Sequence, residues 1–499
     1  MGKWLSTRQV IRKLPAGRFA GAHRLPKSSK PARIGPIAKS HSRRAEFFAL
    51  PNHPGCETSR STSAALTTPH IALLPWGNTI EDFLHGIGVS FEQFCTEMTG
   101  GWLFSYVQAL QLAGFQVTIF CFSGQSRALA SKSHRATGAE ICLIPAKPSY
   151  VWMRHFVADP YAWETDHMFS GRQLPKPAKS IIRHLLPYFA TPERSLWREL
   201  KRRKVRAILC QEYEYARFDI VTALGALLDL PVFAIFQGGN WHSSRLEKLT
   251  RPLAIRQCAG LIIGPSSEAA RVQSDYSISS NKIARLPNPL DLTDWEPVPQ
   301  SEARQSLGIP ISARIAISHG RIDIFRKGLD LLLDAWSKLR LAHPDEDWRL
   351  VLIGSGDDAP KFRSILNGSD YSSVLWIDDY IRDRALMRRW LCAADVYVMA
   401  SRHEGFPVAP LEGMACGLPV VATAVPGIAE IMGDKDPLPG ITAPIGDIAA
   451  LARALERLLD DIQLSRDLGC HAKRRAQDFS LPSVSTQLRS FLTERINNN

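Results

Sequence analysis

The sequence predicts an α/β protein of two successive domains, each built on a parallel sheet. Three observations carry this. Short apolar runs alternate with longer helical patterns from His70 onward. The alternation breaks at a proline-containing stretch beginning at Pro287 and restarts at Ala313. At 499 residues the chain is too long for one hydrophobic core.

The first element is an extension. Residues 1–66 are basic and rich in Ser and Pro, and no periodicity runs through them. They are expected to be disordered, while their Arg/Ser richness and shortage of acids also fit an organelle transit peptide. Residues 1–45 hold twelve Lys/Arg and no Asp or Glu, against a formal net charge of +13 for the whole chain. The remainder is therefore nearly neutral, and the charge gives no argument for nucleic acid binding. The nine cysteines are scattered without a C-x-x-C pair. That pattern argues for reduced thiols in a cytosolic setting and against a disulfide framework or a zinc site. No apolar stretch approaches the ~18 residues needed to cross a bilayer.

The first domain is expected over residues 67–290. Its strands are read at Ile71–Pro75, Val117–Phe122, Glu140–Ile144, Ala207–Cys210, Val232–Phe236 and Gly260–Ile263. Thr99-Gly100-Gly101 should open a helix that runs to Ala113 and stops at Gly114. Intervening helices make these βαβ units and hence a parallel, Rossmann-like sheet. Residues 150–197 fit this pattern poorly, being rich in aromatics and prolines, and are read as an inserted, acceptor-shaping region. The basic run Lys201-Arg202-Arg203-Lys204-Val205-Arg206, just after Trp197, suits a solvated helix end or a peripheral contact with anionic lipid.

Residues 291–312 are read as a linker. The second domain, residues 313–479, should have strands at Arg314–Ser318, Arg349–Ile353, Val374–Ile377, Val396–Ala400 and Pro419–Thr423, with helices that include Gly328–Ala342 and Arg384–Ala394. A last helix is expected within residues 480–499.

The most informative run is Ser401-Arg-His-Glu404-Gly-Phe-Pro-Val-Ala-Pro-Leu-Glu412-Gly-Met-Ala-Cys-Gly417. Its two glutamates follow an apolar strand and sit eight positions apart, so a helical path would place both carboxylates on one side. Gly405 lets backbone approach a ligand closely, and Pro407 suits the first turn of a helix, whose free N–H groups hold phosphate. Carboxylates for sugar hydroxyls beside amides for phosphate suit a nucleotide sugar. The run resembles the signature of the retaining GT-B glycosyltransferases, specifically glycosyltransferase family 4. The resemblance spans residues 70–499 and is stronger in the second half.

The resemblance implies a GT-B fold, two Rossmann-like domains facing across a cleft, with the final helix crossing back onto the first domain. It implies that Arg321 and Lys327, in His319-Gly320-Arg321-Ile-Asp-Ile-Phe-Arg326-Lys327-Gly328, grip the donor diphosphate beside the Gly320 backbone. The Arg-to-Lys spacing is one residue longer than the commonest version, which leaves Arg326 as an alternative to Lys327. Glu404 should accept hydroxyls of the donor sugar, with Gly405, Phe406 and Pro407 donating from the backbone. Glu412 should accept the ribose hydroxyls. In Val425-Pro426-Gly427-Ile-Ala-Glu430, Gly427 matches the family's loop, while Pro426 lacks an amide that could meet phosphate. Asp378-Asp379 resembles the family's base-proximal loop. In the first domain, Gln237 stands where the family often places a histidine that touches the donor sugar, with His242 as an alternative. Gly101, at a helix start, can turn amides toward the diphosphate.

The expected activity is retaining transfer of a sugar from a nucleotide-diphosphate sugar to a glycan, lipid or small-molecule acceptor. Arg321, Lys327 and Glu404 are the catalytic candidates. No metal or cofactor is implied, because cations take the place of a divalent ion at the diphosphate. The family's retention is described as front-side, with a diphosphate oxygen helping to deprotonate the acceptor. A catalytically silent sugar-nucleotide scaffold is the alternative. The expected location is cytoplasmic, with peripheral membrane contact or organelle targeting by residues 1–66 as further options.

Overall fold

Apolar runs buried on both faces form the strands of two parallel sheets. The computed structural model describes residues 68–162, 165–239, 244–368 and 371–497. The extension 1–66 and His242 lie outside the described residues. In the first domain the strands are β1 (His70–Leu74), β2 (Gln116–Ser123), β3 (Ala130–Ser133), β4 (Glu140–Pro145), β5 (Ala207–Gln211), β6 (Val232–Ile235), β7 (Gly260–Ile262) and β8 (Ile283–Ala284). They lie in the order β3-β4-β2-β1-β5-β6-β7-β8. Only the edge strand β3 runs antiparallel. It was not anticipated, because its sequence Ala-Ser-Lys-Ser is exposed throughout and has no apolar alternation.

The second sheet holds β9 (Arg314–His319), β10 (Trp348–Ile353), β11 (Val374–Ile377), β12 (Val396–Met399), β13 (Val420–Thr423) and β14 (Gly440–Ala443). Their order is β11-β10-β9-β12-β13-β14, all parallel. In each sheet the chain winds outward from a central strand and then returns to that strand's other side. This makes a topological switch point between β1 and β5 in the first sheet and between β9 and β12 in the second. Ligand crevices form outside the carboxyl ends of strands at such points.

The helix Gly101–Leu112 begins at the expected glycine pair. It packs against the last helix, Leu481–Asn497, whose Val484, Leu488 and Leu492 are buried in the first domain's core. The C-terminus therefore ties the two domains together. Residues 291–312 are more ordered than a linker suggests. Helix Gln300–Leu307 packs on helix Arg384–Ala393, and its buried Arg304 pairs with Asp395 at 2.8 Å. The aromatic insertion folds into helices Pro148–Arg154, Thr165–Met168, Lys176–Phe189 and Glu193–Arg202. The first three share a small core that includes Tyr150, Met153, Phe169 and Leu186, while Leu196 and Leu200 of the fourth join the core under the first sheet. Lys201 lies over the exposed Trp197 ring, 4.8 Å from its centroid. Among the described residues no helix is long and apolar enough to cross a membrane.

Candidate functional site

A cavity of about 390 Å³ opens between the two switch points, with walls from both domains. Gly101, Gln237, Gly320, Arg321, Lys327, Glu404, Gly405, Phe406, Pro407 and Glu412 all line it. Gly427 does not. It stands behind the loop at φ +86°, where a Cβ would lie 2.6 Å from the Gly405 carbonyl oxygen, so it backs the Gly405–Pro407 backbone and leaves the cavity wall to that loop.

In the second domain, β9 delivers His319, Gly320 and Arg321 to the crevice. Arg321 is exposed there. Lys327 lies just before helix Leu329–Ala342. Its Nζ donates to Glu404 Oε1 at 2.6 Å, and Ser401 Oγ donates to the same oxygen at 2.7 Å. Glu404 is buried. Burial pushes its carboxyl up, but the Lys327 ammonium and the Ser401 hydroxyl outweigh that and hold it below the usual carboxylate range. It is thus an ionised acceptor at neutral pH. Arg326 also lines the cavity, and its buried Nε has no hydrogen-bond partner among the described residues. The two cations are therefore not exclusive alternatives.

Glu412 lies on helix Ala409–Ala415, while Glu404 belongs to the loop that precedes it. The carboxylates are brought to one cavity by the strand–loop–helix path, not by helical pitch as the eight-residue spacing suggested. Pro407 falls before that helix, and Pro410 occupies its first turn. Glu412 is also already engaged. His319 Nε2 bonds its Oε2 at 2.6 Å, and Arg384 Nη1 donates to Oε1 at 3.2 Å. Burial again pushes the carboxyl up, and these partners hold it down. Arg384 also donates to the Thr99 carbonyl of the first domain, just ahead of helix Gly101–Leu112. One guanidinium thus joins the ribose candidate to the opposite wall, a link between residues distant in the sequence that no local motif signals.

Across the cleft, Gln237 follows β6. Its side chain donates to Asn288 Oδ1 at 3.3 Å, and Asn288 Nδ2 donates to the Phe406 carbonyl at 2.8 Å. The two domains touch backbone to backbone here. Gly238 is at φ +86°, and a Cβ on Gly405 would lie 2.5 Å from the Gly238 nitrogen. Behind this contact is Glu212, which the sequence did not single out. It is buried at φ +99° after β5. Its Oε1 accepts from the amides of Tyr213 and Glu214, and its Oε2 from those of Gln237 and Gly239. One carboxylate therefore fixes the turn that meets Gly405. Glu430 joins the domains elsewhere, accepting from the Ser266 amide and pairing with Arg285.

The family described as Glycosyl transferases group 1 matches residues 313–461, the segment that holds Arg321, Lys327, Glu404 and Glu412. A D-inositol 3-phosphate glycosyltransferase of Pseudarthrobacter chlorophenolicus is 31% identical over 249 residues, 49% of this chain and 58% of that protein. The chain thus spans little more than half the length of this curated relative. Among solved structures, sucrose-phosphate synthase from Thermosynechococcus elongatus superposes with a TM-score of 0.64 at 19% identity, over 86% of this chain and 100% of that one. Anabaena HepE in complex with UDP and glucose gives a TM-score of 0.59 at 13% identity, over 85% and 100%. At these identities the structural likeness shows the fold alone, and that fold is GT-B.

Proposed function

We propose that this chain, whose residues 313–461 match the family Glycosyl transferases group 1, moves a sugar from a nucleoside diphosphate sugar to an acceptor with retention of anomeric configuration. The observation that carries the reading is the meeting of Arg321, Arg326 and Lys327 with the buried carboxylates Glu404 and Glu412 in one interdomain cavity. The cations face the diphosphate, Glu404 orients the donor sugar, and Glu412 takes the ribose. As the anomeric C–O bond breaks, negative charge grows on the departing diphosphate and the cations offset it. The acceptor hydroxyl attacks on the same face, and its proton passes to a diphosphate oxygen. A reducing compartment such as the cytosol suits the eight described cysteines, which are all free.

The test is turnover with a panel of UDP-, GDP- and ADP-sugars, with products identified by mass. A protein that binds no nucleotide sugar, or binds one and forms no glycoside or free sugar, would overturn the reading in favour of a silent scaffold. Turnover is expected to survive EDTA, because side-chain cations occupy the diphosphate site. Activity abolished by the chelator and restored by Mg²⁺ or Mn²⁺ would refute that part.

Glu412→Ala is expected to raise donor KM about ten- to a hundredfold and to spare kcat. Hydrogen bonds to a charged group contribute roughly 1.5–3 kcal/mol, and ribose hydroxyls do not change charge during the reaction. Steady-state kinetics check this, and a fall in kcat at unchanged KM would contradict the ribose role.

A further inference from the structure

The first-domain wall of the cavity differs in kind from the wall opposite. Its switch point lies between β1 and β5, and each strand delivers an aromatic residue there, Trp76 after β1 and Tyr215 after β5. Phe83 and Ile87, from helix Ile80–Gly86 and its C-cap, continue the wall, and Met98 and Leu103 complete it. Trp76, Phe83, Ile87 and Tyr215 are only half-buried, so apolar surface is left facing the cleft. Among the described residues that line the cavity, the first domain contributes no charged side chain. Its polar contributions include Thr99, Gln237 and Asn288, and the cations all come from the second domain, where the diphosphate is expected.

This apolar surface is held in place by its neighbours. The Trp76 ring stacks on Tyr161 with centroids 5.0 Å apart and meets Tyr215 edge-on at 6.0 Å. Tyr161 belongs to the insertion between β4 and β5. Its hydroxyl accepts from the Asn78 amide at 2.6 Å and donates to Asp82 Oδ2 at 3.0 Å. The insertion therefore fixes an aromatic platform at the mouth of the first-domain crevice. Ligand pockets combine such apolar walls with a few placed polar groups, whereas a phosphorylated ligand needs cations or free helix amides, and the free amides on this side, at the start of helix Gly101–Leu112, are already assigned to the donor diphosphate.

We infer that the acceptor is an uncharged molecule with an apolar or aromatic body, seated on the Trp76–Phe83–Ile87 wall. The half-buried aromatic surface carries the argument, together with the lack of a charged first-domain side chain among the described residues that line the cavity. The acceptor class would then differ from the phosphorylated polyol in the curated relative's name. This inference rests on the donor reading above, since the wall is an acceptor site only if the opposite wall holds the donor.

The experiment is calorimetric titration in two stages. UDP, GDP and ADP are titrated first, and binding of none of them would defeat the donor reading itself. The nucleotide-loaded protein is then titrated with octyl β-D-glucoside below its micelle concentration, 4-nitrophenyl β-D-glucoside, glucose and inositol 3-phosphate. Both substituted glucosides are expected to bind at least tenfold more tightly than glucose or inositol 3-phosphate. Phe83→Asp should erase that preference. Ile87→Asp provides the same test if the first variant does not fold, with nucleotide binding reporting the folded state. The inference is overturned if inositol 3-phosphate binds as tightly as the substituted glucosides, if those bind no better than glucose, or if a folded variant keeps the preference.

Discussion

Arg321→Ala and Lys327→Ala are each expected to lower kcat about a hundred- to thousandfold. Loss of one preorganised contact to a developing charge typically costs roughly 3–4 kcal/mol of transition-state stabilisation. The two substitutions reach that result differently. Arg321 is exposed at the cavity, so its loss should leave thermal stability near that of the parent protein. Lys327 is bonded to the buried Glu404. Its removal leaves that carboxylate with the Ser401 hydrogen bond and the charge of Arg326 against the burial that pushes its carboxyl up. The depressed titration of Glu404 should therefore move upward in Lys327→Ala. In the parent protein Glu404 supports folding above the usual carboxylate range, and that support is lost as pH falls through its depressed pKa. In the variant, activity should fade at a higher pH on the acid side than in the parent. Steady-state rates between about pH 3 and 8, spanning the usual carboxylate range and below it, with circular dichroism to confirm folding, test both claims. Near-native kcat in both folded variants would remove the diphosphate assignment.

The two sheets and the second-domain site were legible because their signals are local. Strands such as β12, buried at every position, must be written as continuous apolar runs. The residues from His319 to Lys327 and from Ser401 to Glu412 are contiguous in the sequence, so their chemistry can be read without knowing the fold. The missed features depend on distance. Glu212 is one acid after one strand, and its role appears only when β6 brings the amides of Gln237 and Gly239 to it. Arg384 looks like an ordinary helix residue until it is found between Glu412 and Thr99. The eight-residue spacing of the glutamates suggested one helical face, whereas the two carboxylates reach one cavity by a strand–loop–helix path. The apolar wall draws on two strand ends, a short helix and an insertion, so no segment of sequence holds its pattern.

Gly405→Ala should lower kcat/KM by about a hundredfold while shifting thermal unfolding little. Gly405 sits where the two domains meet through backbone alone, and an added methyl carbon would lie 2.5 Å from the Gly238 nitrogen and 2.6 Å from its Cα. Neither side can yield cheaply. Glu212 holds the amides on both sides of Gly238, and Gly427 packs against the other side of the Gly405 backbone. The substitution must therefore widen the cleft or displace the Gly405–Pro407 loop. Either change moves Glu404 and the Phe406 backbone relative to the first domain, and a misplacement of about 1 Å can cost roughly a hundredfold in rate. The hydrophobic cores of both domains are untouched, which is why stability should be spared. Kinetics and thermal unfolding of Gly405→Ala decide the matter together. Rates within twofold of the parent would show that the cleft tolerates the extra carbon. Loss of cooperative unfolding would show that the contact holds the fold and not only the site. A Gly238→Ala variant, made at the same contact from the opposite wall, should reproduce the kinetic loss. Its positive φ adds backbone strain, so a somewhat larger fall in stability is expected there.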